Sequence, residues 1–433
     1  MLELKYLLEE KERLTKSLRK RNYSQEDMEI IQEINNVDRL RKETQTQADE
    51  LKASFNKLSS EIGQLYKAGK REEAEILKEK NLVLKDKIKF LNEKLKNTET
   101  KKEELLISLP NVLHECVPSG KGEEENEVMK EDLTFMPELG DEALAHWDLA
   151  SRYGLIDFET GAKVTGSGFP FYRGDGARLQ RALISFFLEE GRKQGYTEFQ
   201  APLLVNEATA RGTGQLPDKD GQMYFVERDN LYLIPTAEVP LTNIFRDEII
   251  KEEHLPVKLT GYTPCFRREA GSYGSDVKGL NRLHQFDKVE IVQIVPPKNS
   301  YAVLNQMVDY VESLVRKLEL PYRILRLCGG DTSFASALTY DFEIFSAAQE
   351  KWLEVSSVSN FESFQSNRMN LRIKSGNDKP HLAHTLNGSA LALPRIFAAL
   401  LENKQEENKI VLPEVLHQYM GSSEILLDQN PIV

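Results

Sequence analysis

Proline is missing before Pro110, so nothing in the first quarter of the chain forbids long helices. Cysteine is scarce. Cys116, Cys265 and Cys328 form an odd, scattered set without CxxC spacing, which excludes a disulfide scaffold and leads us to expect reduced thiols in a cytoplasmic protein. No run approaches the roughly 20 apolar residues that span a bilayer, and Met1–Tyr6 runs straight into Glu9-Glu10-Lys11-Glu12 without the apolar core of a signal peptide, so no membrane partner is expected. GxGxxG and the P-loop pattern are both absent, so any nucleotide must be held by other means, and no solenoid-type repeat occurs. Positive charge is in deficit, with 57 Lys and Arg against 69 Asp and Glu, a net of −12. That balance argues against a nucleic-acid binder until the charge is read segment by segment.

Two or more domains are expected of 433 residues. Leu51, Phe55, Leu58, Ile62 and Leu65 recur at alternating spacings of four and three. Leu77, Leu84, Ile88, Leu91 and Leu95 continue the rhythm, with Asn81 at one seam position, as in the a/d seam of a coiled coil. Lys67-Ala68-Gly69-Lys70 breaks the pattern and supplies a glycine on which the chain can turn. The spacing predicts two antiparallel helices, about 28–66 and 70–106, after a small mixed segment over residues 1–26. Each arm should measure roughly 55 Å. Between Glu50 and Lys102 there are 14 Lys and Arg against nine Asp and Glu, so this stretch is basic inside an acidic chain. It reads either as a solvated helical face or as an arm laid along a phosphate backbone.

Leu109-Pro110-Asn111 ends the second helix, and a polar linker with Pro118, Gly120 and Glu123-Glu124-Glu125 follows. We take 1–110 as an N-terminal domain, 111–127 as linker and 128–433 as a second domain. Strand-like runs such as Leu231–Ile234 and Val289–Val292 alternate with helical stretches at 176–194 and 300–318. Short connections across 222–294 favour one antiparallel sheet, giving an α+β fold.

Four strings carry candidate chemistry. Arg267 and Glu269 stand two residues apart at the end of a strand-like run, so they face one side and offer a guanidinium fork beside a carboxylate. Taken alone, this reads better as a charged surface hairpin around a loop at 271–282. Thr236-Ala237-Glu238 combines a hydroxyl with a carboxylate, or is simply an N-capped helix start. Glu354–Ser357 offers two oxygens suited to Mg²⁺, or is a serine-rich loop with an incidental acid. His381 and His384 form an HxxH pair without a third ligand at sensible spacing, so no zinc is expected. Tyr340, Phe342 and Phe345 are read as core.

Together these residues resemble the class II aminoacyl-tRNA synthetases. Phe266-Arg267-x-Glu269 is similar to motif 2, residues 180–202 ending in Glu198-Phe199-Gln200-Ala201-Pro202 to motif 1, and 384–402 with His384–Ser389, Pro394 and Arg395 to motif 3. Thr236-Ala237-Glu238, Arg282-Leu283-His284-Gln285-Phe286-Asp287-Lys288-Val289-Glu290 and Glu354–Asn360 resemble the seryl branch, as does the N-terminal hairpin of its bacterial type. Each string is weak alone; six in order, spanning essentially the whole chain, are specific.

The resemblance implies an antiparallel catalytic domain and a helical arm that touches the long variable arm of tRNA through its backbone and shape, in keeping with excess lysine and the lack of interleaved aromatics on the arm. It implies activation of L-serine with ATP to seryl-adenylate and pyrophosphate, then transfer to the 3′-terminal ribose of tRNA(Ser), with tRNA(Sec) a second candidate. It places serine against Thr236, Ala237, Glu238, Arg267, Glu290, Asn387 and Ser389. It places ATP against Arg267, Arg268, Glu269, Phe286, Glu354, Val355, Ser356, Ser357 and Arg395, with Phe286 and Arg395 sandwiching the adenine. Arg267, Glu354 and Arg395 would be catalytic, and Mg²⁺ would sit on Glu354 and Ser357. A homodimer with motif 1 at its interface is also implied. The chain departs from the family at Arg268, usually a small residue, and at Pro394, usually glycine; a proline beyond the first helical turn would shift Arg395. A non-enzymatic RNA-binding paralogue would have lost Glu238, Arg267, Glu290 or Arg395, and a structural coiled-coil protein would carry heptads past residue 106.

Overall fold

The computed structural model describes residues 1–139, 143–218, 221–269 and 278–427, so part of the 271–282 loop lies outside the described residues. They divide into two compact units, one of Leu2–Arg19 with Tyr23–Pro110, the other of Met1, Lys20–Asn22 and the chain from Asn111 onward.

The first unit is helical. α1 (Leu4–Leu8) and α2 (Lys11–Lys20) precede two long helices, α3 (Glu29–Lys67) and α4 (Arg71–Ile107), within a residue of the expected bounds. Gly69, at φ +77°, takes the left-handed turn between them. Leu51, Phe55, Leu58, Ile62 and Leu65 face the seam half-buried, as do Leu77, Leu84, Ile88, Leu91 and Leu95, while the positions between are mostly exposed. Asn81 lies buried among them, its Nδ2 donating to Ser59 Oγ across the pair at 2.8 Å. Lys101 and Lys102 of α4 pair with Glu33 (2.7 Å) and Asp38 (3.3 Å) of α3. Two aromatics lie on the surface of the arm, Tyr66 and Phe90, 41% and 66% exposed.

The second unit is built on an eight-stranded sheet. Its strands are β1 (Glu127–Asp132), β2 (Thr197–Glu198), β3 (Val257–Phe266), β4 (Gln285–Val295), β5 (Tyr322–Arg326), β6 (Leu338–Ser346), β7 (Lys351–Asn360) and β8 (His384–Ala392). The order is β1-β5-β6-β7-β8-β4-β3-β2, and every pairing is antiparallel except β2 with β3. The expectation of one sheet across 222–294 was too simple. Leu231–Leu233 belongs to a separate three-stranded sheet with Leu204–Asn206 and Phe225–Val226, and a short helix, Glu238–Thr242, intervenes before β3.

Four helices matter for the site: α5 (His146–Arg152), α6 (Gly174–Lys193), α7 (Ser300–Lys317) and α8 (Leu393–Asn403). Leu179, Leu183 and Phe187 of α6, Leu304 and Val311 of α7 and Phe397 of α8 share one core with Val289, Ile291 and Val295 of β4. Burying one such side chain stabilises the fold by roughly 1.5–3 kcal/mol. Because side chains alternate along a strand, Val289, Ile291 and Val295 fill that core while the even positions Lys288 and Glu290 face the other way, and Phe286 at the strand's start packs against the edge of the core. Among the described residues no helix is long and apolar enough to cross a membrane.

Candidate active site

The even face of β4 organises the site. Opposite Glu290 stand Gly261 of β3 and Ser389 of β8; opposite Lys288 stand Thr263 and, after a register shift, Ala392. Thr236 Oγ1 donates to Glu290 Oε2 at 3.0 Å, and Lys288 Nζ lies 2.8 Å from the same oxygen. Glu238 begins its short helix two residues after Thr236, and its backbone N–H donates to Thr236 Oγ1 at 3.3 Å. Gln365 Nε2 donates to Glu238 Oε1 at 2.6 Å, while Gln365 Oε1 accepts from Thr385 Oγ1 at 2.7 Å. Burial and then the charge of Glu290 push the Glu238 carboxyl up to about 7, against the pull of Gln365, Lys288 and Asn387. Two carboxylates thus share a buried site with one lysine, leaving an excess negative charge that suits an ammonium. Ala237 is fully buried beside them, and Asn387 lies two residues from Ser389, whose carbonyl accepts from Ser356 Oγ at 2.7 Å.

Arg267 closes the adjoining end. Its backbone N–H donates to His284 O at 3.0 Å, and its guanidinium lies 5.3 Å over the Phe286 ring. Two residues before Arg267, on β3, the fully buried Cys265 stands opposite Phe286, on the strand that places Gly261 opposite Glu290, and burial pushes its thiol up. Glu269, at φ +48°, pairs with Arg282 at 3.1 Å. Arg268 turns elsewhere: its guanidinium lies 5.9 Å over the Tyr224 ring. Pro394 occupies the first turn of α8, where a missing N–H costs nothing, so the helix is not kinked. Arg395 donates from Nε to Asn281 O at 3.1 Å and from Nη1 to Glu354 O at 2.5 Å.

A register shift between Phe342 and Glu343 leaves Val355 as an extra residue in β7. Such a bulge breaks the two-residue alternation, so Glu354 and Ser357 share a side, and Ser357 Oγ donates to Glu354 Oε1 at 3.3 Å. Val355 turns into the core and Ser356 bonds β8, so only Glu354 and Ser357 of this string present oxygens together. Asp341, opposite Ser357 on β6, was not foreseen. Burial and the charge of Glu354 raise its carboxyl well above the usual range, and its buried Oδ1 has no hydrogen-bond partner. An orphaned carboxylate oxygen beside a second carboxylate and a hydroxyl is a donor set that fits Mg²⁺. His381 and His384 stand on strands rather than on one helical face, and His384 Nδ1 meets Ser300 Oγ at 2.8 Å.

Residues 224–404 match the tRNA synthetase class II core domain (G, H, P, S and T), and residues 1–113 match the seryl-tRNA synthetase N-terminal domain. A serine–tRNA ligase of Salinibacter ruber is 51% identical over 98% of this chain and 99% of its own. The chain belongs to the seryl-tRNA synthetase family. A seryl-tRNA synthetase from Pyrococcus horikoshii, solved with ATP, is 33% identical with a TM-score of 0.91 over 99% of this chain and 100% of its own. The cytoplasmic serine–tRNA ligase of Naegleria fowleri, solved with AMP, is 25% identical with a TM-score of 0.87 over 99% of each chain. Charging of tRNA with serine is therefore the activity whose geometry the site must serve.

Proposed function

We propose that residues 128–433 activate L-serine with ATP and pass the seryl group to the 3′-terminal ribose of tRNA(Ser), and that residues 1–110 bind that tRNA. One observation carries this reading: Glu238, Glu290 and the Thr236 hydroxyl meet in one buried cluster, with Glu290 on the strand that also carries Phe286, over whose ring the Arg267 guanidinium lies. The serine ammonium lies between the two carboxylates. Its hydroxyl bonds Glu290 and Thr236, with Ser389 and Asn387 alongside, so alanine would leave these buried polar groups unpaired. The serine carboxylate is already ionised and attacks the α-phosphorus of ATP; the bond to the departing pyrophosphate breaks. Arg267 leaves Phe286 to neutralise the charge that builds on the α-phosphate, a role that needs alignment rather than a general base.

The adenine takes the place Arg267 now occupies over Phe286, with Arg395 on its other face and Glu269 accepting from its amino group. Arg268 and the backbone of Val355 and Ser356 complete the ATP contacts. Mg²⁺ on Glu354 and Ser357, with Asp341 behind them, would neutralise phosphate charge. In the second step the ribose hydroxyl attacks the seryl carbonyl and AMP leaves. The basic arm supplies phosphate contacts to tRNA(Ser), and tRNA(Sec) presents the same kind of backbone. Phe199 in the motif 1 stretch and Leu203 and Leu204 just after it are exposed, an apolar surface that a second copy of the chain would cover in a homodimer.

Serine-dependent ATP–pyrophosphate exchange tests the reading. Arg267→Ala should lower exchange by at least about 100-fold, as losing one oriented donor to a transition state does. Equal exchange in variant and wild type refutes the role of Arg267.

A further inference from the structure

His146 has no part in the chemistry just described, yet it is fully buried and each of its polar atoms is engaged. It opens α5. Its backbone N–H donates to Glu402 Oε1 at 3.0 Å, and its Nδ1 lies 2.7 Å from the same oxygen. On the other side of the ring, the backbone N–H of Leu280 donates to Nε2 at 2.9 Å. A ring nitrogen that accepts from an N–H carries no proton, so the proton sits on Nδ1 and is donated to Glu402. Burial acts to raise the Glu402 carboxyl, but hydrogen bonds from His146 and Ser346 outweigh it and hold the carboxyl below its ordinary value, so it is the anion that orients the ring. Gln349 Nε2 adds a third donor at 3.2 Å.

Glu402 stands on α8 seven residues after Arg395, two turns along one face of the same helix. Both ends of that face grip the same piece of chain. Leu280 is held through His146 and Glu402; its neighbour Asn281 offers its carbonyl to Arg395 Nε at 3.1 Å and its amide to Gln349 Oε1 at 2.9 Å. The approach at this point is close. A Cβ on Gly279, which has φ +66°, would come within 2.2 Å of His146 Nε2. The gripped segment continues into Arg282, which pairs with Glu269, and into β4 with Phe286.

We propose that His146 is a positioning residue for ATP. Paired with Glu402, it fixes residues 279–282 against the motif 3 helix and so sets the carbonyl on which the Arg395 guanidinium is aligned. The proposal rests on the reading of Arg395, Phe286 and Glu269 as the adenine site. It separates ATP from serine, because no group in the His146 network touches Thr236, Glu238 or Glu290 among the contacts described above.

The test uses the full-length chain and pyrophosphate exchange, with KM for ATP and for serine measured below the thermal transition of each variant. Gln at 146 can donate to Glu402 and accept from Leu280; Leu can do neither. His146→Leu should raise KM for ATP by about 10-fold, the lower end of what loss of a group that orients a ligand-holding side chain produces, and leave KM for serine within about twofold. His146→Gln should recover most of the loss. Gly279→Ala, which crowds the ring without removing it, should shift KM for ATP in the same direction and serves if His146→Leu does not fold. In an Arg395→Ala background His146→Leu should add little, since both act on one alignment. The proposal is overturned by a folded His146→Leu or Gly279→Ala with unchanged KM for ATP, by parallel rises for ATP and serine, or by fully additive losses. Arg395→Ala with an unchanged KM for ATP would overturn the adenine-site reading and this proposal with it; a defect in Arg395→Ala alone would overturn only this proposal.

Discussion

Glu238 is where burial and chemistry pull hardest against each other. Removal from water and the charge of Glu290 raise its carboxyl to about 7, so near neutrality the free enzyme holds a mixture of protonated and ionised Glu238. The sign follows directly. An acid whose folded pKa exceeds its unfolded value lowers stability when it ionises, so this site destabilises the free fold increasingly from about pH 4.5 up to about 7. A serine ammonium binds the ionised form, which reverses the preference. KM for serine should therefore rise as pH falls through about 7, and Glu238→Gln should flatten that profile while raising KM throughout. A flat wild-type profile between pH 6 and 8, in assays at saturating ATP, contradicts the assignment. Thr236, Glu238 and Glu290 stand out in the sequence only through the resemblance to the seryl branch, since the Thr236-Ala237-Glu238 string alone reads as a helix start. Lys288 could have been found as well, since it alternates in phase with Phe286 and Glu290. Gln365, Asp341 and His146 could not: each meets its partner only through strand pairing or helix packing that no local spacing encodes.

At the level of elements, periodicity decided most of what was legible. The arm's helices were readable to a residue because a sustained four-three rhythm has one geometric meaning and Gly69 marks the turn. The region 222–294 was misread because Leu231–Leu233 and β3 look alike as apolar runs, and only pairing assigns them to different sheets. Proline at 394 was a concern that its position at the head of α8 resolves. The arm also contains a feature its rhythm does not show. Asp38, buried on α3, is pushed up by burial, but Lys42, Arg41 and Lys102 outweigh this and hold it down at about 2. A depressed carboxyl contributes stability that is present above its unfolded pKa near 4 and lost as pH falls toward 2. Asp38→Asn should cost roughly 2–3 kcal/mol at pH 7, because three cations lose their anion around a buried site. The difference from wild type should shrink between pH 4 and pH 2. Denaturant titration followed by far-UV circular dichroism checks both; an unchanged midpoint at pH 7 contradicts the assignment.

Across the whole molecule, an acidic average of −12 conceals a basic stretch between Glu50 and Lys102, with 14 Lys and Arg against nine Asp and Glu. That separation gives one end of the chain the charge to meet a phosphate backbone and leaves the other free to assemble carboxylates for an amino acid. The second unit gathers two buried acids and a lysine in one small cluster, an arrangement costly to fold and one that a cationic, hydroxyl-bearing ligand would stabilise. The most direct measurement is therefore serine-dependent ATP–pyrophosphate exchange by wild type and Glu290→Ala, each shown to be folded. The account predicts brisk exchange in the wild type and a loss of at least about 100-fold in kcat/KM for serine in the variant, as when a site built for a hydroxyl loses its partner. Exchange that persists undiminished in Glu290→Ala would contradict it.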